Sequence, residues 1–163
     1  MGEDNMEVNI ITLPMFHLVG YKLEATIAEF EAGVGKQSYR TLTTRREEVQ
    51  HRKSDRVILM QIYPMNADFN PQVDKFINII GYEADMPGTV PSGMVSHTVP
   101  ENKYASYTHQ GPESELTSSY NYLYSQWMSE TGNAPKDYDF EIWDERYKPE
   151  HAANEIDLFI AIQ

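Results

Sequence analysis

The stretch YASYTHQGPESELTSSYNYLYSQWMSETGNAPKDYDFEIW, residues 104–143, changes its apolar period twice. Tyr104 to His109 is short, rich in strand formers and closed by Gln110-Gly111-Pro112, which reads as a strand and a turn. Between Ser114 and Thr131, Leu116, Tyr120, Leu123, Tyr124 and Trp127 fall at i, i+4, i+7, i+8 and i+11, the spacing of one helix face. Pro112 and Glu113 suit the start of that helix and Gly132 its stop. Asp139 to Arg146 reads as a strand again, and Ile156 to Ile162 as a last one. The order is strand, helix, strand, strand.

The same order recurs towards the N-terminus. Residues 6–25 carry apolar runs, Val8 to Ile11 and Phe16 to Leu23, broken by Pro14, which cannot donate to a ladder. They predict one extended strand with a break. Residues 26–35, ending in Gly33-Val34-Gly35, predict a loop. Residues 36–53 predict a helix with a thin apolar stripe of Tyr39, Leu42 and Val49. Arg56 to Tyr63 and Phe76 to Ala84 predict buried strands, with a turn at 65–71. Residues 85–103 are rich in Pro, Gly and Ser and read as the connection between halves. The fold class expected is α+β, as one domain over residues 1–163 with pseudo-repeat halves at about 6–86 and 94–163. Two strand–helix–strand–strand units, each too small to bury its sheet, would join edges into one antiparallel sheet with both helices on one face.

The 163 residues include 40% hydrophobic and 23% charged side chains, enough for a packed interior and unlike a disordered chain. No run of 18 apolar residues exists, and Met1 to Asn5 is acidic without an apolar core, so neither a membrane partner nor a signal peptide is expected. Cysteine is absent, which excludes thiolate metal sites, disulfides and cysteine nucleophiles. A cytoplasmic location fits these features. The net charge of −12 opposes direct nucleic-acid binding. Arg40, Arg45, Arg46, His51, Arg52, Lys53 and Arg56 form the one basic cluster, read as a solvated helix face.

These residues resemble the GyrI-like effector-binding domain, also found fused to bacterial drug-responsive transcription regulators. The resemblance rests on Tyr104 to Pro112, on Leu116, Tyr120 and Trp127, on Phe140-Glu141-Ile142-Trp143, and on Glu155 to Ile162. Leu18-Val19-Gly20-Tyr21 and Ile80-Gly81-Tyr82-Glu83 fit it in the first half. It implies a duplicated fold and a pocket for small cationic, aromatic molecules, with a glutamate in the strand after the second helix contacting the cation. Glu141 matches that position. Where the domain belongs to a regulator, a DNA-binding module accompanies it. Here the first strand begins near residue 8, so a stand-alone form is expected.

Strand alternation puts Glu141 and Trp143 on one face and Phe140 and Ile142 on the other. A carboxylate held from water among rings has a raised pKa, and a flat cation would relieve its desolvation and gain cation–π contacts. The alternative is an ordinary solvated strand glutamate. Tyr107, Tyr120, Trp143, Tyr82, Tyr63 and Phe16 are the candidate ligand-binding wall, with core packing as the plainer role. Leu123 and Trp127 are expected to pack the helix on the sheet. Glu83 is the counterpart glutamate of the first half, expected to be solvated or hydrogen-bonded. The five histidines lack zinc spacing, and Gly33-Val34-Gly35-Lys36 lacks a phosphate-cradling pattern, so no cofactor or metal is assigned.

The expected function is binding of a small cationic, lipophilic molecule as a sensor or sequestering module. An inhibitor of a DNA-handling enzyme ranks second. A hydrolase of electrophilic small molecules, using Glu141 with Tyr107 or Tyr82, ranks last. A protein partner or a homodimer stays open.

Overall fold

The structure is a computed structural model and describes residues 7–163. Met6 and the acidic residues before it lie outside the described residues. Eight strands form one antiparallel sheet: β1 (Asn9–Leu13), β2 (Phe16–Ala25), β3 (Arg52–Ile62), β4 (Phe76–Ala84), β5 (Val95–Val99), β6 (Asn102–Gln110), β7 (Pro135–Trp143) and β8 (Glu155–Ile162). Their order across the sheet is β1-β6-β8-β7-β3-β4-β2-β5. The expected units are present as β2, helix, β3, β4 and β6, helix, β7, β8. They meet at the antiparallel β3–β7 seam, where Leu59 faces Glu141.

Each unit also has a leading strand that pairs with the other unit. β1 pairs with β6, and β5 pairs with β2. Residues 6–25 are therefore not one interrupted strand, because Pro14 and Met15 carry the chain from one sheet edge to near the other. Within the connection predicted at 85–103, Val95–Val99 is likewise a strand. β1 falls within the predicted strand, but its local sequence does not report that it pairs at the far edge; β5 is short and lies among turn residues, so local sequence alone hid it. β1 and β2 stand first and seventh in the sheet. Six strand spacings of about 4.8 Å span about 29 Å when flat, whereas the Leu13–Phe16 step reaches only about 11 Å. The sheet must curl until its edges approach. Phe16 of β2 accordingly meets Phe140 of β7 edge-on, with centroids 5.6 Å apart.

The curl buries both faces. The inner face holds Phe16, Leu18, Ile58, Met60, Ile79, Tyr104, Phe140 and Ile142. The outer face, with Val19, Val57, Leu59, Ile80, Tyr82, Trp143, Leu158 and Ile160, packs under the helices through Leu42, Leu123 and Trp127.

The predicted loop at 26–35 is instead largely helical. Thr26 opens a turn at Ile27–Glu29 through a reciprocal cap: the Glu29 amide donates to Thr26 Oγ1 (3.0 Å) and the Thr26 amide to Glu29 Oε1 (2.9 Å). Such a Thr-x-x-Glu pair is a helix-start signal. The segment bends at Gly33, whose φ of 141° is open to glycine. Helix α1 (Gly35–Thr44) follows. It ends nine residues short of the predicted helix, and β3 begins at Arg52. The basic cluster therefore straddles a helix end and a strand instead of lining one solvated face. Arg45 donates to Tyr21 Oη and the Ser92 carbonyl, both at 2.7 Å, and chelates Glu48. Helix α2 spans 116–131, contains a wider π-type turn at Tyr122–Trp127, and stops at left-handed Gly132.

Gly20 and Gly81 face each other on β2 and β4. A Cβ at Gly20 would collide with the Ile80 carbonyl, and one at Gly81 with the Val19 carbonyl. Backbone cannot yield as a side-chain tip can. Gly20→Ala and Gly81→Ala are each expected to destabilise by roughly 1–3 kcal/mol, the range of core overpacking, read as a lower urea midpoint.

Candidate functional site beneath helix α2

Asp139, Glu141 and Trp143 alternate along β7 and point to the outer face. α2 crosses above them and delivers Tyr120 and Tyr124, four residues apart. Tyr120 Oη donates to Glu141 Oε2 at 2.6 Å, and Trp143 Nε1 donates to Glu141 Oε1 at 2.9 Å. Glu141 is only 3% exposed. Beside it, Asp139 is fully buried and accepts from Tyr124 Oη (2.6 Å), Tyr63 Oη (2.8 Å) and Gln61 Nε2 (3.1 Å). Gln61 Nε2 also lies 3.3 Å from Tyr120 Oη, which links the two acids.

Aromatic rings extend the site. Tyr147 stacks on Trp143 at 4.8 Å with a 3° interplanar angle, and Tyr39 of α1 tilts against both rings. Tyr147 Oη donates to Glu113 Oε2 at 2.8 Å. His109 ties down the turn into α2, with Nδ1 2.7 Å from Ser119 Oγ and Nε2 3.1 Å from the Pro112 carbonyl.

Desolvation dominates the electrostatics. It pushes Asp139 and Glu141 each up to about 7, against the lowering effect of the donated tyrosine and indole hydrogen bonds. Burial, with these acids nearby, drives Tyr63, Tyr120 and Tyr124 well above the usual tyrosine range, so their hydroxyls remain donors. Among the described residues, no lysine, arginine or histidine forms an ion pair with either acid. Nor do three potential metal ligands converge among those residues.

Comparison with known proteins decides the relationship. The model of the family described as "GyrI-like small molecule binding domain" matches residues 6–163. The chain belongs to this family. A curated relative, the transcriptional regulator BrlR of Pseudomonas aeruginosa, is 30% identical over 160 residues. The match covers 97% of the chain and 56% of BrlR, so the chain spans about half the length of that relative. SAV2435, solved bound to tetraphenylphosphonium, superposes with a TM-score of 0.73 at 14% identity, over 97% of this chain and 94% of SAV2435. EcmrR, solved in a complex with DNA, superposes with a TM-score of 0.71 at 10% identity, over 97% of this chain and 57% of EcmrR. At these identities the two solved structures share the fold.

In this GyrI-like domain, four of the seven wall and acid candidates come together: Glu141, Trp143, Tyr120 and Tyr63. The other three stand apart. Tyr107 lies opposite Leu158, which separates it from Glu141, and its ring meets Tyr122 at 6.3 Å. Tyr82 is separated from Trp143 by Val57. Its buried hydroxyl has no hydrogen-bond partner among the described residues, and the Arg52 guanidinium lies 5.6 Å from its ring centroid. Phe16 is on the inner face, away from the acids. Glu83 is no counterpart of Glu141. It lies in β4, the second strand after the helix, and is paired with Lys53 (3.5 Å) and Arg56 (3.6 Å). Sequence reasoning passed over Asp139, Gln61, Tyr124 and Tyr147 as site residues. The Asp-x-Glu-x-Trp alternation contained a signal for Asp139; Tyr147 lies in the β7–β8 loop, where no period reports its position.

Both acids bind their protons more tightly folded than unfolded. Their burial therefore reduces stability as pH rises from about 4 to about 7, with the loss complete above the folded values. Glu141→Gln keeps the shape and removes this charge. Its effect relative to the parent is expected to be about 2 kcal/mol more favourable at pH 8 than at pH 5. Urea unfolding at the two pH values reads the difference, and an unchanged difference would contradict a raised Glu141 pKa.

Proposed function

We propose that the site beneath α2 binds a lipophilic, aromatic cation, with Glu141 as its counter-charge. The observation that carries this reading is a desolvated carboxylate with ring donors on both oxygens and, among the described residues, no cation paired to it. Such a group is costly to ionise in the empty domain. An arriving cation offsets that cost, and each ring face adds about 0.5–2 kcal/mol through cation–π attraction. A small hydrated cation would forfeit the ring contacts, and a neutral analogue would leave the charge unmatched.

Membership of a small-molecule binding family supports this reading. So does the fold shared with SAV2435, solved with tetraphenylphosphonium. The proposed role is that of a ligand sensor or sequestering module, linked to transcriptional control as the relationship to the regulator BrlR suggests.

Tetraphenylphosphonium and the neutral triphenylphosphine oxide make a direct test by thermal shift and calorimetry. The cation is expected to raise the melting temperature by mass action, and the oxide to do so far less. Glu141→Gln should weaken the cation at least about tenfold, the loss of one charge-assisted contact. Affinity for the parent should rise with pH up to about 7 and then level off, because below that value the cation must displace a proton from Glu141. Equal shifts from both compounds, or an unaffected variant, would overturn the assignment.

The 2.6 Å contact between Tyr120 Oη and Glu141 also favours a second reading. A carboxylate titrating near neutrality beside a phenol suits general-base activation of water on an electrophilic molecule. Turnover of a reactive epoxide, lost in Glu141→Gln, would favour it over binding alone.

A further inference from the structure

On the inner face of the sheet, away from the acids beneath α2, lies a cavity of about 160 Å³. Its apolar lining includes Phe16, Ile58, Phe140 and Phe159, and Arg56 and Glu83 supply its charged groups. Phe140 and Phe159 stack there at 4.8 Å, presenting flat apolar surface. The cavity is about half the lower limit of about 300 Å³ for drug-sized ligands. It has room for one branched or aromatic side chain.

The charges decide which molecule would suit it. Arg56 Nη2 and Glu83 Oε1 are 3.6 Å apart, too far for a hydrogen bond. Among the described residues, the Arg56 guanidinium makes no hydrogen bond, and Glu83 accepts none through its carboxylate. Lys53 reaches Glu83 only at 3.5 Å. The Arg56 side chain is 45% exposed and that of Glu83 20%, so both can turn towards a guest. Loose pairs of this kind hold little energy and separate readily. A guanidinium fork with free donors suits a carboxylate, and a carboxylate with free lone pairs suits an ammonium. A purely anionic guest would be opposed by Glu83, and a purely cationic one by Arg56.

We propose that this cavity binds a zwitterionic α-amino acid with an apolar side chain. Its carboxylate takes the Arg56 fork, its ammonium takes Glu83, and its side chain enters between Phe16, Ile58 and the Phe140–Phe159 stack. The guest bridges β2, β3, β4, β7 and β8 from the face opposite Glu141, so the two sites select ligands of different charge.

Isothermal titration of the intact chain with leucine and phenylalanine tests this, beside 3-methylbutylamine and 4-methylpentanoate, which each keep one charge of leucine. Amide-resolved NMR locates the site. The amino acids are expected to bind at millimolar concentration or tighter, with shifts centred on Arg56 and Glu83. Each single-charge analogue should bind at least about tenfold more weakly, one charge-assisted contact being lost. Arg56→Gln should reduce leucine binding about tenfold, and Glu83→Gln should do the same while leaving tetraphenylphosphonium binding unchanged. Either substitution is at a partly exposed position, so folding is retained. Absence of amino-acid binding at 10-fold above millimolar, on the order of 10 mM, would overturn the proposal. So would equal binding of 4-methylpentanoate and leucine, shifts confined to residues beneath α2, or indifference to both substitutions.

Discussion

Pro14 and Met15 are all that separate β1 from β2, and Pro100 and Glu101 all that separate β5 from β6. Each pair carries the chain between strands six places apart in an eight-stranded sheet. This connectivity compels the curl, and the curl sets everything else. It gives the sheet an enclosed inner face, where Phe16 reaches Phe140 across strands that a flat sheet would hold well apart. It leaves the outer face for the two helices. It also ties each unit to the other, because the leading strand of one completes the sheet of its partner. Neither half can close its edges alone.

A central strand of such a sheet has no wet side. Asp139 and Glu141 sit on β7, next to the seam, where both faces are covered. The burial of these acids follows from strand position, and their proton affinity follows from burial. Among the described residues, no arginine or lysine neutralises them. The fold surrounds them with phenols, an amide and an indole, which donate hydrogen bonds without supplying charge. Hydrogen bonding limits the cost of burial but leaves a negative site electrostatically unfilled when ionised. That is the difference between Glu141 and Glu83. The latter is flanked by the cations of Lys53 and Arg56.

Much of this was legible in the chain. The α2 period placed Tyr120, Leu123, Tyr124 and Trp127 on one face, and the structure packs that face onto the sheet. Phe76–Ala84 was readable as a strand from its composition alone. Alternation assigned Glu141 and Trp143 to a common face, and they share a hydrogen bond. The errors have a common origin. β1 and β5 are five residues each and are held by partners some 75 to 97 residues away, so nothing local to β1 says which edge it joins and nothing in the turn-rich stretch around β5 marks it as a strand. The Thr26–Glu29 cap was local and was outweighed by the glycines that follow it. Tyr82, Tyr107 and Phe16 were eligible by residue type, and residue type cannot tell which row of a curled sheet a ring occupies.

The sequence by itself determined the periods: which segments are helix or strand, which side chains share a face, and that two similar units follow one another. Those are local steric and hydrophobic preferences, written within a few residues of where they act. Tertiary structure alone decided that Asp139 joins Glu141 as a second buried acid, that Tyr147 covers Trp143, and that Phe16 and Glu83 belong to the opposite face. Each depends on which distant strand lies alongside, and strand pairing is set by the closure of the whole sheet.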